Sequence, residues 1–360
     1  MKNLINTLLV MFLFQCLNAQ TSIKTAGGSE VCTQKLKDRI SHLMDSLEMP
    51  GLSMAILNDQ EIVYHEVFGV QNASTQTPLN SENIFEGASL SKPIFAYFAM
   101  KMVDKGILDL DEPLYQHFPH PGIDSSSLED YRKITPRMVL SHSTGFPNHS
   151  NNQIIKLPFE PGTGFTYSGE AYQYLAAIIG KLNGVGWREK FNEIFEQEVT
   201  KPLGMEHTSF LWNDYLKEHK VYGHKAGQAT TNGTGGWSGK TFNAFSSIHS
   251  EAYEYALFIQ AMLKQQGLSK SSFEQMLAPE NKFKASNELL QETGQTAWGL
   301  GFAQKPSEHG LMHLHTGNNH DFQAYSMFIM EQGYGIVLFT NSDLLLPFIQ
   351  GLESLLGPQF

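Results

Sequence analysis

Residues 87–102, Gly-Ala-Ser-Leu-Ser-Lys-Pro-Ile-Phe-Ala-Tyr-Phe-Ala-Met-Lys-Met, contain the tetrad Ser89-Leu90-Ser91-Lys92, and the apolar pattern after it is typical of a helix. Pro93 suits the first turn of that helix. Residues three apart on a helix project from one face, so the Lys92 amine can accept the Ser89 hydroxyl proton if burial lowers the lysine pKa. The helix N-terminus would also favour a developing alkoxide. The stretch predicts a nucleophilic serine with its own base.

Two further short motifs follow in the chain. Tyr167-Ser168-Gly169 lies in the middle, and His315-Thr316-Gly317 starts a run that we interpret as an edge strand near the C-terminus. A lone tyrosine or histidine is more often structural than catalytic. The order of the three motifs, and not any one of them, carries the functional interpretation.

This order resembles that of the serine β-lactamases and penicillin-binding peptidases, which carry Ser-x-x-Lys, then Tyr-x-Asn or Ser-x-Asn, then Lys-Thr-Gly or His-x-Gly. The similarity is to the branch that includes class C β-lactamases, D,D-peptidases and related esterases. Further stretches resemble the same family and extend the likeness over nearly all of the mature chain: Leu140–Pro147, Pro202–Met205, Thr208–Phe210 and Trp298–Phe302.

The resemblance implies a role for each motif. Ser89 would attack a carbonyl, Lys92 would assist its deprotonation, and the Tyr167 hydroxyl would pass the proton to the leaving group. A phenol beside a lysine ammonium can have a lowered pKa, which suits a base that later acts as an acid.

The third motif is implied to bind substrate through His315, Thr316, Gly317 and Asn318. His315 stands where many relatives have lysine, and would orient the tyrosine and offer positive or donor character to the substrate. The backbone N–H groups of Ser89 and Asn318 would form the oxyanion hole.

Two departures from the family pattern bear on substrate. Gly169 replaces the asparagine of the second motif, which in the family binds the amide of a β-lactam or peptidyl substrate. Residues 318–322, Asn-Asn-His-Asp-Phe, lack the Gly-rich form that is common in β-lactamases. We therefore expect inefficient β-lactam hydrolysis and favour ester or small-peptide hydrolysis.

The apolar patterns predict secondary structure at both ends of the chain. Leu36 to Leu47 recur at helical spacing before Pro50-Gly51, and Leu52–Leu57 and Ile62–Val70 predict an antiparallel hairpin. Phe322–Met330 and Gly335–Thr340 predict a second hairpin, and Leu345–Leu356 a final helix. We expect the two ends to build one sheet together.

The expected fold class is α/β (α+β) and β-lactamase-like, with an antiparallel sheet flanked by helices and an inserted, mostly helical subdomain. One hydrolase domain would span residues 31–360. Its α/β part would comprise residues 31–106 and 244–360, with residues 107–243 as the helical insertion. Phe146, Phe165 and Trp298 can line a pocket or belong to the core, and we favour the core.

Composition narrows the function classes. The 360 residues are 41% hydrophobic and 17% charged, which is typical of a globular protein, and the net charge is -11. No Lys/Arg cluster is present of the kind that holds a phosphate backbone, so we expect no nucleic-acid partner. A small molecule or short peptide is the expected substrate, with no cofactor and no metal.

The first residues predict export. Met1-Lys2-Asn3 precede the apolar run Leu4–Phe14, and Leu17-Asn18-Ala19 offers a cleavage site, so residues 1–19 have the features of a signal peptide. The bulky Gln15 argues against lipidation at Cys16. Cleavage would leave only Cys32, without a disulfide partner. We expect a periplasmic or secreted protein that meets the membrane only transiently, through the signal peptide.

Three alternatives stay open. An α/β-hydrolase would use Ser143, although the first glycine of its Gly-x-Ser-x-Gly motif is absent. A metal hydrolase would use His313, His315, His320 and Asp321. A penicillin-recognising sensor would keep the fold with little turnover, and the missing asparagine at Gly169 leaves room for slow deacylation.

Overall fold

The computed structural model describes residues 22–230 and 241–359. The predicted signal peptide, residues 1–19, and Cys16 lie outside the described residues. Cys32 is free and partly buried. Within the two described ranges, no helix is both long enough and apolar enough to cross a bilayer.

An antiparallel sheet of nine strands forms the centre of the protein, in the order β10-β11-β12-β13-β14-β15-β3-β4-β5. Shorter two-stranded sheets pair β1 with β2, β6 with β9 and β7 with β8. The strands are β1 Ser22–Lys24, β2 Glu30–Cys32, β3 Gly51–Asn58, β4 Glu61–Asn72, β5 Thr77–Pro78, β6 Phe85–Ala88, β7 His224–Lys225, β8 Gln228–Ala229, β9 Ile248–Ser250, β10 Asn281–Lys282, β11 Ala297–Trp298, β12 Ala303–Ser307, β13 Gly310–Asn318, β14 Gln323–Ile329 and β15 Tyr334–Thr340.

The two ends of the chain meet at the middle of this sheet. Strand β15 pairs with β3 from Gly335 opposite Leu57 to Thr340 opposite Leu52. Both strands are buried along their whole length, as expected for the centre of a sheet that is covered on both faces. Both predicted hairpins are present, and the expectation that the chain ends share one sheet is confirmed.

The helices cover both faces of the sheet and fill the middle of the chain. They are α1 Thr33–Leu47, α2 Ser91–Asp104, α3 Leu128–Tyr131, α4 Pro136–Leu140, α5 Gly169–Leu182, α6 Glu189–Phe195, α7 Lys201–Leu203, α8 Asp214–His219, α9 Ala252–Leu263, α10 Lys270–Leu277, α11 Glu288–Thr293 and α12 Leu345–Leu356. Single 3-10 turns lie at Leu114–Gln116, Ser125–Ser127 and Met330–Gln332, and a π-helical turn spans Glu196–Thr200.

Two apolar clusters form the core, one on each face of the sheet. Helices α1 and α12 pack together over one face, where Ile40 and Leu352 join the cluster that includes Leu338 of β15. On the other face, α2 and α9 pack with the aromatic side chains of the helical region, including Phe98 and Phe258. The strongly apolar α2 is buried almost all round, which explains why its apolar residues show no single stripe.

The β6–β9 ribbon connects the sheet to the helices. Phe85 pairs with Ser250 and Glu86 with His249, and a register shift follows before Ala88 pairs with Ile248. Helix α2 begins three residues after β6 ends. The ribbon therefore places the start of α2 beside the sheet.

The fold class predicted from the sequence is confirmed, since a large antiparallel sheet is flanked by helices. The proposed limits of the helical insertion, residues 107–243, stay a prediction. The interpretation of the third motif as an edge strand needs correction, because β13 lies between β12 and β14. His315 also lies in the interior of β13 and not at its start.

Helix α12 offers a matched test of the packing on the α1 side. Leu352 is fully buried there, whereas Leu346 of the same helix is 53% exposed. Leu352→Ala is expected to lower the free energy of unfolding by about 2–5 kcal/mol, because it removes buried methyl groups and leaves a cavity. Leu346→Ala should change it by no more than about 0.5 kcal/mol. Urea unfolding measures both, and equal losses would contradict the described packing.

Candidate active site

Ser89 lies in a tight, left-handed turn between β6 and α2. Ala88 has a φ of 46°, which is uncommon for a residue with a side chain. The backbone N–H of Leu90 donates to Gly87 O at 2.9 Å. Ser91 ties the turn to β9, because its Oγ donates to Ala88 O at 2.6 Å and accepts from Ile248 N at 3.0 Å. These bonds hold Ser89 at the N-terminal end of α2, as the tetrad predicts.

The turn lies directly against β13. A Cβ on Gly317 would overlap the carbonyl oxygen of Gly87, and a Cβ on Gly87 would lie 2.7 Å from the Ile248 side chain. Neither glycine has a positive φ, so the requirement is for space and not for backbone conformation. The close approach of these two backbones brings Ser89 to the third motif.

Lys92 points from the first turn of α2 towards Ser89 and is fully buried. Its Nζ lies 3.1 Å from Ser89 Oγ and donates to Phe245 O at 3.0 Å. It also lies 4.5 Å from the centre of the Tyr167 ring. Burial lowers the Lys92 pKa well below its usual value, because the charged amine loses its hydration.

Tyr167 immediately precedes helix α5. Ser168 caps that helix, with its Oγ accepting from Ala171 N at 3.0 Å and donating to Pro147 O at 2.8 Å. The Ser168 N–H donates to His142 Nδ1 at 3.0 Å, and the rings of His142 and Tyr167 lie 4.5 Å apart. The cap and the buried histidine together fix the direction of the phenol.

The expected lowering of the Tyr167 pKa is wrong. Burial raises this pKa, and a hydrogen bond with the Ser89 hydroxyl only partly opposes the effect. The physical reason is that the neighbouring Lys92 is itself pushed towards its neutral form, so it supplies no stable ammonium to favour a phenolate. Burial therefore favours the neutral amine of Lys92 and the protonated phenol of Tyr167.

His315 is neutral, which corrects the expectation of a positive group. Burial, followed by the proximity of Lys92, lowers the His315 pKa to about 3. Its Nδ1 lies 2.8 Å from Thr316 O, so Nδ1 carries the hydrogen and Nε2 is an acceptor. Nε2 is buried and has no protein partner. His315 therefore offers an acceptor beside Tyr167, whose ring centre lies 6.1 Å away.

His142 is a site residue whose role the sequence interpretation missed. Its Nδ1 accepts the Ser168 N–H, so its hydrogen is on Nε2, which is buried without a partner. Burial, followed by Lys92 and His315, lowers its pKa well below the usual value. It also contacts Trp298, at 4.9 Å between ring centres. Its place in the stretch Leu140–Pro147, already noted as family-like, was the available signal.

The remaining residues of the third motif lie along the last part of β13. Thr316 and Asn318 are exposed, and Gly317 is buried under β6. Pairing with β12 ends at Leu314, so the side of the strand from His315 onward is open. Asn318 Oδ1 accepts from His320 N at 2.8 Å, which closes the turn after the strand. The open edge beside Ser89 fits the expected oxyanion hole.

A buried ion pair joins β6 to this turn. Lys220 Nζ lies 3.1 Å from Glu86 Oε1, and Asn319 Nδ2 donates to Glu86 Oε2 at 2.7 Å. Burial raises the Glu86 pKa, but Lys220, His249 and Asn319 together hold it below its usual range. Glu86 therefore stays ionised, and it links the strand before Ser89 to the residue after Asn318. The sequence alone gave no reason to pair these distant residues.

A cleft of about 460 Å³ opens beside Tyr167 and His315. Helix α11 and strands β11 to β13 supply its other walls, and the residues lining it are Phe165, Thr166, Tyr167, Glu288, Leu289, Gln295, Trp298, Ala303, Leu314, His315 and Thr316. Trp298 is a buried member of the core cluster on the α1 side, as favoured, and Phe165 packs against that cluster; both side chains also border the cleft. Phe146 is a core residue, as favoured.

The structure gives no support to the two rival enzyme classes. Ser143 is buried, and its Oγ lies near Ser141 Oγ and Met138 O with no histidine base. The four residues of the metal hypothesis are not gathered. Among residues 22–230 and 241–359, no three His, Cys, Asp or Glu side chains form a group that could hold a metal ion. Asp321 instead accepts from Thr230 Oγ1 at 2.6 Å.

The antiparallel sheet, the Ser-Lys pair at the start of α2 and the open strand edge define a serine hydrolase fold of the penicillin-recognising kind. The profile of the β-lactamase family matches residues 36–350, and the chain belongs to that family.

Three known proteins illustrate the range of its relatives. Protein flp of Staphylococcus aureus is 22% identical over 326 residues, which are 86% of this chain. The chain spans only 63% of the length of that relative. The octameric penicillin-binding protein homologue of Pyrococcus abyssi superposes with a TM-score of 0.73 at 21% identity, over 90% of this chain and 77% of that one. The D-amino acid amidase of Ochrobactrum anthropi SV3 superposes with a TM-score of 0.69 at 19% identity, over 86% of this chain and 91% of the amidase.

The lowered pKa of Lys92 predicts a pH dependence of stability. Between the folded and unfolded pKa values, the unfolded chain binds a proton that the folded chain lacks, so wild-type stability rises with pH. Lys92→Met removes this contribution. The free energy of unfolding of the wild type, relative to that of Lys92→Met, should rise by up to about 1.4 kcal/mol per pH unit between pH 7 and 9.5. Urea unfolding at several pH values measures the difference.

Lys133→Met is the matched control for this measurement. Lys133 is exposed, and the hydrogen bonds that its ammonium donates to Glu160 and Asp130 raise its pKa. A raised pKa gives a stability contribution that is fully present at any pH below the pKa of the unfolded chain. This contribution is lost only as pH rises through the pKa of the folded chain. Lys133 should therefore cause no change of stability with pH between pH 7 and 9.5. Parallel curves for wild type and Lys92→Met would show that the buried amine is protonated and would remove it as the base.

Proposed function

We propose that this protein is an exported serine hydrolase that forms a covalent acyl-enzyme on the carbonyl of an ester or amide. The observation that carries the proposal is the distance of 3.1 Å between Ser89 Oγ and the buried Lys92 amine. A neutral amine at this distance can accept the hydroxyl proton, which makes the serine a nucleophile at neutral pH.

In the first half of the proposed reaction, Ser89 Oγ bonds to the carbonyl carbon and its proton passes to Lys92 Nζ. The N–H groups of Ser89 and Asn318 would stabilise the oxyanion. When the tetrahedral intermediate collapses, the bond to the leaving alcohol or amine breaks. The Tyr167 hydroxyl protonates that group and recovers a proton from Lys92. The raised pKa of Tyr167 supports this role, since the phenol begins the step protonated.

In the second half, water attacks the acyl-enzyme carbonyl and its proton passes through Tyr167 to Lys92. Collapse of the second intermediate releases the carboxylic acid and returns the proton to Ser89 Oγ. The sum is one water consumed and one ester or amide bond cleaved. His315 lies beside Tyr167, with 6.1 Å between ring centres, and its buried Nε2 is an acceptor without a protein partner.

We propose that the natural substrate is an ester or a short peptide, with β-lactams cleaved poorly. Gly169 gives the second motif no side-chain amide, and this is the basis for the weak β-lactam activity. The Ochrobactrum anthropi relative is described as a D-amino acid amidase, so its fold is compatible with amide cleavage. The cleft beside Tyr167 would receive the leaving group, because Tyr167 is the group that protonates it.

A Ser89→Ala variant is the direct test of this mechanism. Turnover of p-nitrophenyl esters should fall by at least about 10³-fold, because the nucleophile is lost. The covalent adduct of a fluorophosphonate probe should disappear from the intact-mass spectrum. Ser143→Ala, the nucleophile of the α/β-hydrolase alternative, should keep both signals.

The same spectra separate the hydrolase from the penicillin-recognising sensor. A penicillin adduct on wild type that persists without release, together with negligible ester turnover, would favour the sensor. The absence of any Ser89-dependent adduct or turnover would reject the catalytic proposal and leave a family fold used for binding.

We propose that the mature protein is periplasmic or secreted. The charged start, the apolar run Leu4–Phe14 and the small residue Ala19 support cleavage after Ala19. Expression of the full chain in a bacterial host should yield a mature N-terminus at Gln20, measured by intact mass of the exported fraction. A protein that retains Met1 and stays in the cytoplasm would contradict export.

A further inference from the structure

Gly169 has no backbone need to be glycine. It is the first residue of α5 and its φ is not positive. A Cβ at this position would lie 2.7 Å from Phe245 Cδ2, 2.9 Å from Phe245 Cγ and 2.9 Å from Asn148 O. All three distances are shorter than real Cβ contacts. The space of a side chain at the second motif is therefore taken by the Phe245 ring and the Asn148 backbone.

Phe245 also borders the reacting groups. Its carbonyl oxygen accepts from Lys92 Nζ at 3.0 Å, and its ring centre lies 5.5 Å from that nitrogen. The side chain is partly exposed. The ring thus presents an apolar surface beside the Ser-Lys pair.

The ring is held in place by its loop. Phe245 N donates to Asn243 Oδ1 at 3.1 Å, and Ala244 N donates to Gln173 Oε1 at 3.0 Å. The His149 ring packs against Phe245 edge to face, at 5.3 Å between centres. These contacts hold the backbone of the loop and support one side of the Phe245 ring.

The backbone polar groups at this position are already used. Gly169 N donates to Asn148 Oδ1 at 2.9 Å, and Glu170 N donates to Asn148 O at 3.1 Å. An amide of a substrate placed against the ring would lose its hydration without gaining a partner, which costs about 1–3 kcal/mol. An apolar acyl chain in the same place would gain about 25 cal/mol per Å² of buried surface.

We propose that Phe245 determines acyl specificity: by occupying the space beside Gly169, it makes the site select esters with an apolar acyl chain over acyl donors that carry an amide next to the scissile carbonyl. This inference rests on the proposed function and assigns its substrate class. It also explains why the second motif of this chain ends in glycine.

Two substrates with one leaving group and equal acyl length test the proposal. They are p-nitrophenyl valerate and the p-nitrophenyl ester of N-acetylglycine, compared by the ratio of their kcat/KM values. In Phe245→Ala and Phe245→Asn, the kcat/KM ratio of valerate to the N-acetylglycine ester should fall by about tenfold or more relative to wild type. A tenfold change corresponds to the cost of leaving one amide group without a hydrogen-bond partner. Phe245→Leu keeps an apolar side chain and should retain most of the preference.

Two controls make the outcome specific. Phe118 is 39% exposed and lies outside the site, so Phe118→Ala should leave both rates and their ratio unchanged. Asn148→Ala tests the other neighbour of Gly169. A shift of the ratio in Asn148→Ala, with none in the Phe245 variants, would overturn the proposal and assign amide recognition to Asn148.

The failure of this inference can be told from the failure of the proposed function. Ester turnover that is lost in Ser89→Ala, combined with an unchanged ratio in all three Phe245 variants, would overturn the specificity role alone. Turnover that persists in Ser89→Ala, or is absent from wild type, would overturn both. Because the ratio cancels any general loss of activity, a partly destabilised variant still gives a valid result.

Discussion

The close contact between Gly87 and Gly317 is the constraint on which the active site depends. It lets strand β6 lie directly against β13, where a single methyl group would force the two backbones apart. The turn that carries Ser89 therefore reaches the part of β13 that extends beyond its pairing with β12. The buried Glu86–Lys220 pair and Asn319 reinforce the same junction, since one carboxylate binds groups from both sides of it. Alignment within a fraction of an ångström is what a covalent mechanism requires.

The groups around Ser89 are kept uncharged by burial. Lys92, His142 and His315 all have lowered pKa values, and Tyr167 has a raised one. Burial thus favours an amine without its extra proton beside a phenol that keeps its own. Like-signed neighbours strengthen the effect, because each imidazole that gained a proton would repel the amine. Burial thus favours the neutral form of each of these four groups.

The apolar character of the site extends to its substrate surfaces. The Phe245 ring occupies the space beside Gly169 and near the Lys92 amine, and Phe165 and Trp298 line the cleft beside Tyr167. Thr166, Glu288, Gln295 and Thr316 supply polar groups to the same cleft. The apolar surface of Phe245 is the basis of the proposed preference for an apolar acyl chain.

The sequence by itself determined the family, the antiparallel sheet shared by both chain ends and the serine-lysine pair, because these depend on local patterns and on the order of short motifs. Ser89 and Lys92 are neighbours on one helix, so their contact needs no tertiary information. Only the tertiary structure decided the charge states of Tyr167 and His315, since burial is a property of the whole packing. It alone also revealed Phe245 beside Gly169 and Glu86 beside Asn319. These residues are distant in sequence and come into contact only in the folded chain, so no local sequence pattern predicts their contact.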